Sequence, residues 1–199
     1  KGPIFTSFLL GDEINRAPAR AQTALLQAMQ ERQVTIDRTT HVLDPNFTVF
    51  ATLNPRNYQG TFPLPEPQRD RFLFKILMGY PDSDEERLLC EQTLSDHAPD
   101  KIVESGVIKP LLTSERLVVL RNALGLIEIA PNLIQYAVDI TQRSRNHNSI
   151  QLGAGPRATQ GIVLSSRVKA AMEGRGHVEP EDIRIMALAC MEHRLILNP

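Results

Sequence analysis

Two adjacent carboxylates, Asp12 and Glu13, follow a short apolar run that begins at Phe8. An apolar run without polar alternation is typical of a strand buried on both faces of a parallel sheet. The carboxylates would then lie at the C-terminal end of the strand, where open α/β sheets place their ligands. In nucleotide hydrolysis, one such carboxylate holds Mg²⁺ and the other polarises the attacking water. The alternative interpretation is a strand that ends in an acidic loop.

Three further polar side chains follow the carboxylates in an informative order. A second apolar run at residues 47–52 precedes Asn54, whose amide could hold a water in line with a γ-phosphate. Arg71 could stabilise the charge that develops during phosphoryl transfer, and Arg157, at the start of a helical segment, could contact the same phosphate. Each residue also has a simpler interpretation. These are turn chemistry for Asn54, a surface pair with Asp70 for Arg71, and helix capping for Arg157.

The ordered set of motifs resembles the AAA+ ATPases, and within them the MoxR type, which is related to the magnesium-chelatase ATPase subunit. The resemblance extends over nearly the whole chain. It is carried by GPIF at residues 2–5, LGDEINRAP at 10–18, QTALLQAMQERQV at 22–34, ATLNP at 51–55, GTFPLPE at 60–66, DRF at 70–72 and GPRA at 155–158. The resemblance implies an α/β fold: the C-terminal part of an AAA+ parallel-sheet core followed by an all-helical lid domain.

The resemblance also implies a role for each candidate residue. Asp12 and Glu13 match the Walker B pair, in which Asp12 would hold Mg²⁺ through water and Glu13 would be the catalytic base. Asn54 matches sensor 1. Arg71 matches the arginine finger, which acts in trans on the ATP of a neighbouring subunit. Arg157 matches sensor 2, which binds and acts on the nucleotide of its own subunit. The implied cofactors are ATP and Mg²⁺.

Three other arginines complicate the assignment. Arg56 and Arg69 lie near Arg71 in the sequence and compete with it for the finger role. Arg69 also follows Gln68 at a place where an apolar residue is expected. Arg16 is interpreted either as a contact to another subunit or as a solvated charge.

The spacing of apolar residues predicts the elements that position these side chains. The predicted parts are a partial core at residues 1–81, a connecting helix and linker at 82–112, and a lid domain at 113–199. The core is expected to contain a helix over 18–32, a hairpin over 33–43 and a third strand over 71–76. The connecting helix is predicted over 82–94, and the lid helices over 113–124, 131–146, 155–173 and 179–195.

Composition is that of an ordinary globular protein. The 199 residues include 22 basic and 23 acidic side chains, and a net charge of −1 gives no electrostatic argument for nucleic-acid binding. Cys90 and Cys190 are predicted to be buried free thiols in a reducing compartment. The histidines show no metal-ligand spacing. The sequence shows neither an apolar run long enough to span a membrane nor a signal-peptide pattern, so the expected location is the cytoplasm.

The largest departure of the sequence from the family is an absence. The phosphate-binding loop, Gly-x-x-x-x-Gly-Lys followed by Ser or Thr, is absent, and the glycine-rich turn at residues 153–156 has no lysine. The chain is therefore interpreted as a fragment of a longer ATPase whose phosphate loop precedes residue 1, and the isolated chain is expected to be inactive. Without the strand of that loop, the second and third strands would have open edges.

Two functions remain open. The first is Mg-ATP hydrolysis by a ring-forming, chaperone-like ATPase, with a hexamer expected, that remodels or assembles a protein partner. The resemblance suggests a von Willebrand factor A-type protein as that partner. A magnesium-chelatase subunit would differ in its partner rather than in its chemistry. The second function is a non-catalytic oligomerisation or interaction module, since the chain has no phosphate loop.

Overall fold

The computed structural model describes residues 2–54, 62, 64–94 and 99–198. Its helices are α1 (Ala19–Glu31), α2 (Glu66–Arg69), α3 (Ser83–Thr93), α4 (Pro99–Glu104), α5 (Ser114–Ala123), α6 (Pro131–Arg145), α7 (Pro156–Met172) and α8 (Pro180–Met191). Its strands are β1 (Phe8–Gly11), β2 (Gln33–Ile36), β3 (Thr39–Val42), β4 (Thr48–Ala51), β5 (Ile150–Leu152) and β6 (Ile196–Leu197). Short 3-10 helices lie at Ile14–Arg16 and Leu124–Leu126.

Strands β1 and β4 are parallel neighbours, paired from Phe8 with Thr48 to Gly11 with Ala51. Leu9 on β1 packs against a cluster that includes the buried Phe47. The opposite face is open: Phe8, Leu10 and Phe50 are 55%, 66% and 53% exposed. The expectation that the first strand is buried on both faces is therefore wrong for this chain. Within the described residues, α1 and strand β2 pack against one face of this sheet, and apolar side chains remain exposed on the other face.

Helix α1 forms where the sequence predicted it. Pro18 precedes it, and a left-handed Arg32 with φ 50° ends it. Leu26 on its inner face is fully buried against the loop that follows β1. The predicted hairpin also forms, with β2 and β3 antiparallel from Gln33–Val42 to Ile36–Thr39. Its two-residue turn has positive φ at both positions, which suits the right-handed twist of the flanking strands.

The predicted third strand over residues 71–76 does not form in the described structure. A strand requires a hydrogen-bonded neighbour, and no described strand lies alongside this segment. Ile76 is 72% exposed as a result. The carbonyl groups of Phe72 and Leu73 are instead bound by side chains near the C-terminus of the chain.

The connecting helix α3 begins where predicted, with Asp82 as its N-cap residue. The Asp82 carboxylate accepts the N–H groups of Asp84 and Glu85, and the Glu85 side chain accepts the N–H of Asp82, which completes a capping box. Helix α3 has no buried residue in the described structure, so Cys90 is exposed, contrary to the prediction. Cys190 is buried, as predicted.

Helices α6, α7 and α8 pack around one apolar core in the C-terminal part of the chain. Its fully buried members include Ala137, Ile162 and Ile183. This part is not purely helical, because β5 and β6 form a short antiparallel pair that the apolar spacing did not predict. The last predicted helix, to residue 195, ends early at Met191, since the chain must turn to return alongside β5.

A buried asparagine joins the first part of the chain to α5. Asn46 is fully buried, and its Nδ2 donates to the carbonyl oxygen and the hydroxyl of Ser114 at 3.0 and 2.8 Å. Arg121 donates to Asn46 Oδ1 at 3.3 Å and to the carbonyl of Pro45 at 3.0 Å. In the described part of the chain, no helix combines the length and apolar character needed to cross a membrane.

Candidate active site

The carboxylate pair meets Thr52 at the C-terminal edge of the parallel sheet. Asp12 and Glu13 follow β1 and Thr52 follows β4, so parallel pairing brings the three residues together. The Thr52 hydroxyl donates to Asp12 Oδ1 at 2.6 Å and accepts the backbone N–H of Glu13 at 2.8 Å. One hydroxyl therefore orients the Asp12 carboxylate and anchors the Glu13 backbone. Sequence reasoning missed Thr52, because threonine at a strand end is an ordinary β-forming residue.

Glu13 has a left-handed backbone, with φ 46° and ψ 53°, which is uncommon for a residue with a side chain. The following residue holds this geometry, since the Ile14 N–H donates to the Thr52 carbonyl at 3.0 Å. Glu13 Oε1 accepts Asn54 Nδ2 at 3.2 Å, and Oε2 pairs with Arg16 Nε at 2.8 Å. Strained residues that their neighbours hold in place are frequent at active sites.

The structure thus brings together three of the predicted site residues: Asp12, Glu13 and Asn54. Asn15 is buried and holds the backbone of Asn54, because its Nδ2 donates to the Asn54 carbonyl at 3.0 Å. The interpretation of Asn54 as a simple turn residue does not explain its side-chain bond to the Glu13 carboxylate. Arg16 pairs with Glu13 while 56% of its side chain stays exposed, so its contact to another subunit stays a prediction.

Gln22 on α1 is a second positioning residue that the sequence reasoning missed. It is 2% exposed, and its Nε2 lies 3.1, 3.0 and 3.3 Å from the carbonyl oxygens of Ile14, Ala17 and Phe62. These contacts tie the turn after Glu13 to α1. A signal was present in the sequence, because Gln22 lies one helical turn before Leu26, on the face that is otherwise apolar.

Asp12 fits a Mg²⁺ ion held through water better than a closed protein cage. Its side chain is exposed, and its Oδ2 accepts no hydrogen bond from a described residue. Mg²⁺ in proteins usually keeps several waters and uses one or two carboxylates together with substrate phosphates. The described residues contain no cluster of three His, Cys, Asp or Glu side chains that could hold a metal ion.

Arg71 lies two residues after the end of α2, outside the group formed by Asp12, Glu13 and Asn54. Its side chain is half-buried, and its guanidinium makes no ion pair with any described residue, including Asp12 and Glu13. The surface pair of Arg71 with Asp70 is not found. Asp70 instead binds Arg194, with Arg194 Nε 2.9 Å from Asp70 Oδ1.

Arg157 lies in the first turn of α7, where its Nη1 is 3.4 Å from Asp70 Oδ2. It does not cap its helix, since the N-cap residue is Gly155 and no side chain bonds to the first turn. The described structure does not join Arg157 to Asp12 or Glu13 by an ion pair. Among the competitors of Arg71, Arg56 lies outside the described residues, and Arg69 has a buried Nε without a described hydrogen-bond partner.

Two family models match the sequence. The AAA_3 model, described as the ATPase family associated with various cellular activities (AAA), matches residues 1–74, and an AAA lid domain model matches residues 142–199. A crystal structure of a candidate ATPase from Cytophaga hutchinsonii matches with a TM-score of 0.90 at 35% identity, over 100% of this chain and 61% of that one. Fold and matches together define an AAA domain followed by an AAA lid.

Curated relatives narrow the family. The chain is 39% identical to Chaperone MoxR1 of Mycobacterium tuberculosis, over 99% of this chain and 52% of that protein. It is 38% identical to the YeaC protein of Bacillus subtilis, over 100% of this chain and 60% of that protein. It is 32% identical to Protein MoxR of Methylorubrum extorquens, over 94% of this chain and 58% of that protein. The chain belongs to the MoxR-type AAA+ ATPase family, and spans little more than half the length of these relatives.

Proposed function

We propose that the chain is the Walker B, sensor and lid part of a MoxR-type ATPase that hydrolyses Mg-ATP and remodels or assembles a protein partner. The observation that carries the proposal is the joining of Asp12, Glu13 and Asn54 at the edge of the sheet, with Thr52 holding the carboxylate pair. A phosphate loop, which these 199 residues do not contain, would be supplied by another part of the whole protein.

Glu13 is proposed as the base that orients the attacking water. Its carboxylate is oriented by Asn54 on one oxygen and Arg16 on the other. The side chains of Arg16 and Glu13 are 56% and 32% exposed, and ion pairs of that kind contribute at most about 1 kcal/mol, so Arg16 can be displaced when water and nucleotide enter. Asn54 then remains to hold the water beside the carboxylate.

Asp12 is proposed to hold Mg²⁺ through water, with the Thr52 hydroxyl fixing one carboxylate oxygen and leaving Oδ2 toward solvent. When bound, the ion supplies positive charge that neutralises the phosphate oxygens. Thr52 acts as an outer-shell partner of the kind that orients metal-binding carboxylates. The role of Asp12 is therefore to position the ion and its water shell relative to the base.

Arg71 and Arg157 are proposed to act from separate places. Arg71 has a guanidinium with no ion pair in the described structure, which suits a finger that reaches the nucleotide of a neighbouring subunit. Arg157 is proposed to bind the nucleotide of its own subunit as sensor 2. Its contact with Asp70 is long, at 3.4 Å, and 44% of its side chain is exposed, so a phosphate can replace Asp70 as its partner.

A finger that acts in trans requires assembly, and we propose a homo-oligomeric ring, expected to be hexameric, in the cytoplasm. The proposal of a protein client is supported by the name of the mycobacterial relative, which calls it a chaperone. A von Willebrand factor A-type protein is proposed as the partner on the family resemblance. We also propose the division into a partial core at residues 1–81, a connecting part at 82–112 and a lid at 113–199.

The test is Glu13→Gln in the full-length protein. ATP binding should be kept, because the amide retains the shape and the contact with Asn54. Turnover should fall at least about 100-fold, which is the usual loss when a general base is removed. Glu31→Gln on the exposed end of α1 is the matched control and should leave turnover unchanged. Unchanged turnover in Glu13→Gln removes Glu13 from its proposed role.

The competing proposal, a non-catalytic interaction module, is supported by the open apolar face formed by Phe8, Leu10 and Phe50. Nucleotide binding separates the two. If the 199-residue chain does not bind ATP, but the full-length protein with its phosphate loop binds and hydrolyses it, the ATPase proposal stands. If the full-length protein neither binds nor hydrolyses ATP, the module proposal is supported.

A further inference from the structure

Arg194 follows the end of α8, and its side chain is 4% exposed. Its guanidinium binds the segment around the proposed finger almost exclusively. Nε donates to Asp70 Oδ1 at 2.9 Å, and Nη2 donates to the carbonyl oxygens of Asp70 at 2.9 Å and Phe72 at 2.6 Å. Nη1 donates to the carbonyl of Leu73 at 3.2 Å and also to that of Cys190. A buried guanidinium is tolerated only when it is paired and hydrogen-bonded in this way.

His193 binds the same segment. Its Nε2 is 2.9 Å from the Phe72 carbonyl oxygen, and because a carbonyl only accepts, Nε2 carries the proton. Its Nδ1 is buried without a hydrogen-bond partner in the described structure. Burial lowers the pKa of the imidazole, so the neutral ring with a protonated Nε2 is the form that fits. Nearby, Lys75 pairs with Glu192 at 3.2 Å and extends the attachment by one more contact.

His193 and Arg194 bind the backbone of residues 70–73 directly. Between them they bind the carbonyl oxygens of Asp70, Phe72 and Leu73. Arg71 lies inside this segment and has no ion pair of its own with a described residue. Arg194 binds residues on both sides of Arg71, so it fixes the place in the backbone from which the Arg71 side chain extends.

We propose that Arg194, supported by His193, is a positioning residue for Arg71: it attaches residues 70–73 to the end of α8 and so directs the finger toward the neighbouring subunit. The inference rests on the proposed function, since it requires Arg71 to act in trans. It predicts that a defect at Arg194 impairs the site of the neighbouring subunit and spares the subunit's own site.

Arg194→Lys in the full-length protein keeps the positive charge but loses the planar fork that binds several acceptors at once. The kcat should fall by roughly 10- to 100-fold, because small misplacements of a catalytic group have effects of that size. The KM for ATP should stay within about twofold, since the residues proposed to bind the nucleotide are unchanged. A wild-type kcat in a folded Arg194→Lys protein overturns the inference.

Mixed assemblies test the direction of the effect. A Glu13→Gln subunit has a defective site and an intact finger, whereas an Arg194→Lys subunit should have an intact site and a defective finger. In an equal, random mixture, about a quarter of all sites combine an intact base with an intact neighbouring finger, because each head-to-tail interface joins two different surfaces. Activity should therefore rise above the sum of the two separate proteins. Such recovery also shows that the Arg194→Lys subunit is folded.

Two further mixtures separate the inference from the proposed function. Glu13→Gln with Arg71→Ala must also recover activity, and its failure contradicts the finger in trans and hence the proposed function. Arg71→Ala with Arg194→Lys should not recover, since both subunits lack a working finger. Recovery in that mixture, with none in Glu13→Gln plus Arg194→Lys, places the defect in the subunit's own site and overturns the inference alone.

His193→Leu is a second variant that tests the inference if Arg194→Lys does not fold. Leucine suits a buried position and removes a nitrogen that has no described partner, so the variant should fold. It loses the bond to Phe72, and kcat should fall several-fold with the same pattern in mixtures. If Arg194→Lys is unfolded and His193→Leu has the wild-type kcat, the inference is overturned.

Discussion

Gly153 should be intolerant of any side chain, and Gly153→Ala in the full-length protein measures this. A Cβ at Gly153 would lie 2.6 Å from both Cα and N of Arg145 and 2.7 Å from the carbonyl carbon of Ser144. These are backbone atoms, so a rotamer change cannot relieve the clash. Either the last turn of α6 or the turn before α7 must move by about 1 Å to reach ordinary contact.

The expected cost follows from what that movement breaks. Forcing an extra methyl group into a packed position costs about 1–3 kcal/mol. Two hydrogen bonds cross the same contact: Ala154 N–H to Ser144 Oγ at 3.0 Å, and Arg145 Nε to the Ala154 carbonyl at 2.9 Å. Weakening them adds about 1 kcal/mol, and the lower entropy of an unfolded alanine chain returns about 0.4–1 kcal/mol. The net loss in the free energy of unfolding is about 1–4 kcal/mol.

Urea unfolding followed by far-UV circular dichroism gives this free energy, and thermal unfolding should show a lower Tm. Gly155→Ala is the matched control in the same turn. A Cβ there meets nothing within 4 Å, so its effect should stay within about 1 kcal/mol. Equal effects of the two substitutions would refute the packing argument. A large loss confined to Gly153 would show that this glycine serves close packing, which is a different use from cradling a phosphate.

Three other predictions concern the site and the thiols. Thr52→Val in the full-length protein should lower kcat or Mg²⁺ affinity about tenfold, because the hydroxyl that orients Asp12 is lost. Thr52→Ser keeps the hydroxyl and should retain wild-type values, so equal kinetics for the two variants would contradict the role of Thr52. The free energy of unfolding should fall as the pH decreases below 6.5, because the pKa of His193 is lowered in the folded state and the unfolded chain takes up the proton first. The change in this free energy with pH should be smaller in His193→Leu, and an unchanged pH dependence would exclude His193 as its source. Cys90 is exposed and should react with a thiol reagent in the folded protein, whereas Cys190 is buried with a pKa raised by burial and should react only after unfolding. Comparable reaction rates of the two thiols in the folded protein would contradict this difference in burial.

The order of elements and the edge of the sheet that holds the carboxylates could be predicted from local pattern. An apolar run followed by Asp12 and Glu13, and a second run followed by Asn54, place the side chains at the same edge whenever the strands are parallel neighbours. Burial could not be predicted in this way, because it depends on what covers the strands. Phe8 and Leu10 look like core residues in the sequence and are more than half exposed in the structure.

The strand predicted over residues 71–76 was wrong for a related reason. Its apolar composition describes a segment that is able to pair, but pairing also requires a free neighbouring strand at the right distance. The wrong prediction for Cys90 has the same cause. The capping box at Asp82 determines where α3 starts, but the burial of the Cys90 thiol requires a packing surface that the described residues do not provide. Local chemistry sets the boundaries of an element, and distant contacts set its environment.

Arg194 shows why the positioning residues of such a site escape sequence reasoning. Arginine beside histidine at the end of a helix is interpreted by default as a solvated charge near the negative end of the helix dipole. Apart from the Cys190 carbonyl, its partners are more than 120 residues away in the sequence, and most of them are backbone carbonyls, which no side-chain pattern records. Because these bonds span the chain from α2 to the end of α8, any movement of α8 must either carry residues 70–73 along or break several buried hydrogen bonds at once. The lid and the proposed finger should therefore move as one unit, and substitutions at the C-terminal end of the chain should impair catalysis without touching the carboxylate pair.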